Sequence, residues 1–282
     1  MNVKSENGTF KNNEYFTDRG SCPEKNPLLL GGGTFPLPRV LPPIWQPVEQ
    51  ELQVVFTRLE TALRPAGRSL LKQLMRPSDY EFLLPPGLVL FSGNLFSKGR
   101  DQYLPAVFME LIYLGTRFHN LAGHLRCKEQ QMFILTGDFL YSHLLYLLDK
   151  SQHLFLLGKF ATLVTAMNEG FSSQEGYRLK KAEPGTYEIS EWLHKQYGIF
   201  YGESCALGSL FAGSSKKEQS LLREFGTAFG IAYGLHMNGY TLLSADEFLD
   251  KRLRTLSLLP DSQSRRELES FARGVIFNSC ST

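Results

Sequence analysis

Cysteine is scarce and scattered in this chain: Cys22, Cys127, Cys205 and Cys280 stand apart among 282 residues. With no C-x-x-C pair, neither a disulfide framework nor a cysteine zinc site is expected, which fits a reducing cytoplasm. An excess of either charge is also missing. Lys and Arg number 30 against 28 Asp and Glu, a net charge of +2, and charged residues make up 21% of the chain. No field of that size steers a protein to nucleic acid or to an anionic membrane. Clusters such as Lys251-Arg252 with Arg254 are short enough to be solvated helix faces. No run of about 18 apolar residues occurs, so no transmembrane span is predicted. The stretch from Met1 to Arg19 is polar and charged without an apolar core, and no secretory leader is expected from it. Alternating apolar and polar runs of β type are absent as well.

What is present divides the sequence in two. Residues 1–43 are rich in Asn, Gly and Pro, with Gly31-Gly32-Gly33 and Pro36, Pro38, Pro42 and Pro43, and read as a flexible tail. The triple glycine lacks the following Lys-Ser or Lys-Thr and the preceding strand of a phosphate loop. Residues 44–282 read as one all-α domain. Leu52, Val55, Phe56, Leu59 and Leu63 recur at three- and four-residue steps, one apolar stripe. Further helices are predicted over Gly87 to Leu95, Tyr103 to Leu125, Glu129 to Lys150, Gln152 to Gly170, Ser190 to Phe200 and Glu203 to Ala212. Three more follow over Lys217 to Met237, Ala245 to Leu258 and Ser262 to Ile276. The second and third of these are apolar nearly all round and are expected at the centre. A chain that is 43% hydrophobic has enough apolar surface for such a bundle.

The most informative segment is Leu222-Arg223-Glu224-Phe225-Gly226 followed by Gly230-Ile231-Ala232-Tyr233. It resembles the helix of trans-isoprenyl diphosphate synthases that reads L-R-E-Y-G-x-x-x-G-I-A-F-Q-x-x-D-D-x-x-D. Here Gly234 stands at the glutamine, Met237 and Asn238 at the paired aspartates, and Thr241 at the third. A second family segment, E-L-I-H-x-x-S-L-I-H-D-D-x-x-D, is matched by Glu110-Leu111-Ile112-Tyr113 through Thr116-Arg117-Phe118-His119. Asn120, Leu121 and His124 occupy its aspartate positions. The family's basic motif, G-G-K-R-x-R-P, is replaced by Tyr80-Glu81-Phe82-Leu83-Leu84-Pro85-Pro86, in which no cation remains. Thr136-Gly137-Asp138-Phe139-Leu140 resembles V-G-D-Y-L. Glu169-Gly170-Phe171-Ser172-Ser173-Gln174 resembles E-G-E-x-x-Q, and Lys195-Gln196-Tyr197 falls near a K-T segment. The shared order extends from about Pro47 to Leu258.

The resemblance implies an isoprenoid-synthase bundle in which the cations would hold isopentenyl diphosphate. The acids would hold magnesium against the allylic diphosphate while the leaving group departs. Asn and His are neutral and Leu cannot ligate, so this chain is expected to lack catalysis of its own. It also implies that Ile112, Gly115 and Thr116 line a product tunnel. The family's dimer face further implies that Leu156, Phe160 and Val164 form a subunit interface.

Other residues invite a function. Asp246-Glu247-Phe248-Leu249-Asp250 places Asp246 and Asp250 one turn apart, an alternative magnesium site with Glu247; the same acids suit the first turn of a helix capped by Ser244. His119 and His124 lie about 140° apart on a helix and share no ligand face. Gly202-Glu203-Ser204-Cys205 lacks the G-x-S-x-G pattern of a nucleophile elbow. The 21 Phe and 12 Tyr read mainly as core.

Three functional classes follow. In the first, the chain is a non-catalytic regulatory subunit of a two-component long-chain polyprenyl diphosphate synthase, of the kind that serves menaquinone side chains. It would be cytoplasmic, need no cofactor itself, and partner the catalytic synthase subunit and its isoprenoid chain. In the second, it is an isoprenoid-converting enzyme with magnesium at the rearranged acids. In the third, it is a stand-alone isoprenoid-binding protein.

Overall fold

Every regular element among the described residues is helical. The computed structural model describes residues 41–62, 81–96, 102–123, 129–181, 183–240 and 253–277. A 3₁₀ turn, Pro43–Val48, leads into α1 (Glu49–Ala62); Pro43 falls at its first position, where a backbone N–H would have no helical partner, and Pro47 lies within it. Leu52, Val55, Phe56 and Leu59 of α1 are buried, the stripe seen in the sequence, and Glu49 and Glu51 sit at the positive end of the helix dipole. Another 3₁₀ turn, Glu81–Leu83, precedes α2 (Leu84–Asn94), which is buried from Leu84 to Gly93. α3 (Tyr103–Ala122) and α4 (Glu129–Lys150) pack along each other. A tight turn with Gln152 in the left-handed region joins α4 to a short 3₁₀ turn and α5 (Leu157–Lys180).

α6 (Thr186–Leu193), a π turn (His194–Gly198) and α7 (Ile199–Phe211) form one continuous rod. α8 (Lys216–Met237) starts from a capping box. The Ser215 N–H donates to the Glu218 carboxylate at 2.7 Å, and the Ser215 hydroxyl accepts from the Glu218 N–H at 3.3 Å. α9 (Gln263–Phe277) closes the bundle: Phe271 packs on Trp45, Phe91 and Phe229 at ring separations of 4.8, 4.6 and 6.2 Å. Leu41 already belongs to this core.

α7 is the axis on which the bundle is built, touching α8 on one side and α2 on the other. These crossings are close because glycines leave no side chain between the backbones. A Cβ on Gly208 would overlap the Val89 carbonyl of α2, and one on Gly226 would overlap the Tyr201 carbonyl and lie 2.8 Å from Cys205 Sγ. At Gly230 it would lie 2.5 Å from the Tyr197 carbonyl oxygen.

Three helix expectations change. The predicted break near residues 200–203 does not occur, because Gly202 is held inside the rod against Arg223 and Thr227 of α8. The helix expected to stop at Gly170 runs to Lys180. Gly170 lies beneath the Trp192 carbonyl and the Gln196 N–H, and the helix ends only where Lys181 turns left-handed. α3 is central, as expected, but α4 is peripheral, exposing Met132, Ile134, Leu135, Leu145 and Tyr146.

The glycines separate into two kinds with opposite consequences. Gly208→Ala forces a methyl into the Val89 backbone and is expected to cost about 3 kcal/mol. Gly176→Ala in α5, where a Cβ meets nothing within 4 Å, is expected to gain roughly 0.5–1 kcal/mol from helix propensity. Urea unfolding monitored by circular dichroism checks both signs.

Candidate functional site

The ends of α3 and α8, the second half of α5 and the π turn carry the residues that the sequence singles out. α8 ends at Met237, and Asn238 caps it by donating its amide N–H to the Gly234 carbonyl at 2.7 Å. The Asn238 amide oxygen accepts a short hydrogen bond from Gln174 of α5, and the Tyr197 phenol of the π turn lies near the same amide. Three motif fragments 64 residues apart or less in sequence thus meet at one amide. Burial pushes the Tyr197 phenol well above its ordinary value, so it stays neutral. Lys195 points away and pairs with Glu169 and Glu191, each at 3.2 Å.

On α3, Asn120 and Leu121 are half-buried near the helix end. His119 Nε2 lies 3.1 Å from Asp138 Oδ1 and 3.2 Å from the Ile134 carbonyl. Gly137 makes this possible, since a Cβ there would strike the His119 ring. Ile112 is fully buried in the core. Tyr141 of α4 covers the next two tunnel candidates: its ring would lie 2.8 Å from a Cβ on Gly115, and its hydroxyl is 2.7 Å from the Thr116 hydroxyl. The small residue at 115 therefore accommodates a tyrosine of the same chain. Leu156 and Phe160 are buried in the chain's own core and Val164 packs partly against it. Their four-residue stripe faces inward, so it offers little to a partner. His124, Thr241, Asp246, Glu247 and Asp250 lie outside the described residues.

Magnesium asks for several oxygen ligands, carboxylates among them. At the described motif positions the donors are two neutral amides beside Leu121 and Met237, and the Asn238 oxygen already serves Gln174. Among the described residues no three His, Cys, Asp or Glu groups converge to hold a metal. This donor set does not fit the ion.

No family model and no curated protein matches the sequence. Solved structures do match. A polyprenyl synthase from Caulobacter crescentus CB15, complexed with calcium and isoprenyl diphosphate, aligns with a TM-score of 0.71 at 17% identity, over 83% of this chain and 97% of that one. A decaprenyl diphosphate synthase from Rhodobacter capsulatus aligns with a TM-score of 0.69 at 15% identity, over 83% and 98%. A mint deletion mutant of heterotetrameric geranyl pyrophosphate synthase aligns with a TM-score of 0.64 at 19% identity, over 82% and 99%. The fold is the all-α isoprenoid-synthase fold.

Within that fold lies a polar cluster that sequence reasoning missed. Glu110, Tyr113 and Arg117 follow one another at three- and four-residue steps on α3, a signal visible in the sequence. Arg117 donates to Glu81 Oε2 at 2.7 Å and to the Tyr113 hydroxyl at 2.6 Å. Tyr113, Tyr201 and Tyr233 are buried, and burial holds their phenols neutral. Glu110 is fully buried and neither carboxyl oxygen has a hydrogen-bond partner. Burial pushes its carboxyl well above the usual range, with Arg117 opposing and Glu81 adding to the shift.

A raised folded-state value means that the folded chain keeps a proton the unfolded chain releases. Glu110 therefore withdraws stability as pH rises from the unfolded carboxylate value of about 4.5 towards the raised folded one, by at most about 1.4 kcal/mol per pH unit. Glu110→Gln is expected to remove that decline. Paired urea titrations of wild type and variant from pH 4 to 8 measure it as their difference, and parallel curves would contradict it.

Proposed function

We propose that this chain is a non-catalytic subunit of a two-component polyprenyl diphosphate synthase. The observation that carries the reading is the chemistry at the two helix ends. Where the resemblance expects metal-holding acids, α3 and α8 present Asn120, Leu121, Met237 and Asn238, and Asn238 is tied to Gln174 and Gly234. A bundle kept intact around neutral amides suits a partner better than an enzyme. The heterotetrameric geranyl pyrophosphate synthase among its structural neighbours supports the same direction, since that protein works as a mixed assembly. Among the described residues no helix is long and apolar enough to cross a membrane.

Loss of charge-stabilising ligands should cost many orders of magnitude, at about tenfold in rate per 1.4 kcal/mol. Purified chain given farnesyl diphosphate, isopentenyl diphosphate and magnesium is expected to form no product above background. Magnesium-dependent elongation by this chain alone would end the proposal and favour the acids at 246–250 as a metal site. With a catalytic synthase co-expressed from the same source, the two chains should co-purify and product length should change.

The contact surface is the exposed apolar set on α4 and the α4–α5 turn. Leu135 is 62% exposed and Phe155 71%, with Leu145, Tyr146, Leu154 and Leu157 alongside in sequence. Large apolar side chains left exposed along one helix and the turn that follows it are what an interaction surface offers. Phe155→Asp is expected to weaken co-purification at least tenfold while circular dichroism stays native. Phe160→Asp, which buries a charge in the core, should instead unfold the chain. Unchanged complex formation by Phe155→Asp would place the contact elsewhere.

A further inference from the structure

Two segments 36 residues apart in sequence meet through one charged contact. Glu81 stands in the stretch where the resemblance expects a run of cations, and Arg117 stands at a leucine of the segment where it expects acids. An acid thus stands where cations are expected and a base where a leucine is, and the two groups lie 2.7 Å apart. Both side chains are only 23% exposed, so water screens the pair incompletely. Arg117 also donates to the Tyr113 hydroxyl, and Tyr113 stacks on Phe200 at 6.0 Å. The charge of Glu81 also acts at a distance on the phenols of Tyr113, Tyr197, Tyr201 and Tyr233, raising each.

A half-withdrawn guanidinium next to a phenolic hydroxyl is a ready donor set for a phosphoryl oxygen, because its planar fork matches that geometry. Here a carboxylate of the same chain already takes one arm of that fork, the Arg117 Nη1 group. We propose that Glu81 is a built-in anion that holds Arg117 and closes this site to diphosphates. The inference deepens the non-catalytic reading and rests on it: the site is shut against substrate by an added contact as well as stripped of its acids. Neutralising Glu81 removes the anion that Arg117 holds, and a small polyanion then takes its place beside the Tyr113 hydroxyl.

The test is calorimetric titration of the full chain with inorganic pyrophosphate, without metal, near neutral pH. Wild type is expected to show no saturable binding up to about 1 mM. Glu81→Gln should bind one pyrophosphate at least about tenfold more tightly than that limit. The double variant Glu81→Gln with Arg117→Gln should lose the gain. Arg117-dependent binding by wild type would overturn the proposal, as would a folded Glu81→Gln chain that gains nothing. Equal binding by the double variant would also overturn it, since Arg117 would not be the donor. A Glu81→Gln chain that fails to fold would do so too, because a partly exposed pair that gates a site is not what holds a fold together. Magnesium-dependent turnover by wild type would end the non-catalytic reading. The metal-free titration can fail while turnover stays absent, so the two failures are told apart.

Discussion

Backbone meeting backbone along α7 is the constraint on which the rest of the molecule depends. Gly208 lets α7 touch α2, and Gly226 and Gly230 let α8 touch α7, with no side chain between them. Helices this close have no room to slide or rotate, so everything carried at their ends inherits a fixed position. The π turn lies on the same rod, and its Tyr197 carbonyl is the atom that Gly230 approaches. The Tyr197 phenol is thereby held near the end of α8, where the Asn238 amide oxygen accepts from Gln174. The arrangement at the candidate site is a consequence of two glycine crossings some turns away.

The interior that results is polar in an unusual way. Its ionised groups are matched: Glu203 of α7 joins Lys159 of α5 at 2.9 Å and Arg223 of α8 at 2.6 Å, and Glu81 joins Arg117. Among the described residues its groups without a hydrogen-bond partner include the Ser92 hydroxyl, the Trp192 indole N–H and the Glu110 carboxyl, which burial keeps protonated. Such an interior resists a doubly charged metal and tolerates an apolar or amide-bearing surface. A fold is compatible with many functions, and the solved structures that share this one speak to architecture alone.

Much of the architecture was legible in the sequence because helical periodicity is a local property. Leu52, Val55, Phe56 and Leu59 declare their face without reference to any other helix. Gly170 and Gly202 misled because a glycine that breaks an isolated helix is retained where a neighbouring backbone needs the space, and that need is not local. The stripe of Leu156, Phe160 and Val164 showed a buried face but could not show what buried it. The lack of charge at Asn120, Leu121, Met237 and Asn238 was readable, since residue identity alone suffices. The pairs Glu81 with Arg117, His119 with Asp138, and Gln174 with Asn238 were not readable, because each joins residues whose proximity exists only after folding. Tyr141 over Gly115 belongs to the same class: a small residue advertises space, and only the fold says who fills it.

Cys205 gives the α7–α8 crossing a chemical voice. Its thiol lies against Gly226, wholly buried, and burial raises its pKa to about 12. At neutral pH it is neither accessible nor ionised, so an alkylating reagent cannot reach a nucleophile there while the helices are engaged. Its reaction becomes a clock for the separation of two backbones, running at the rate of the rarest opening of the bundle and blind to the fraying of its edges.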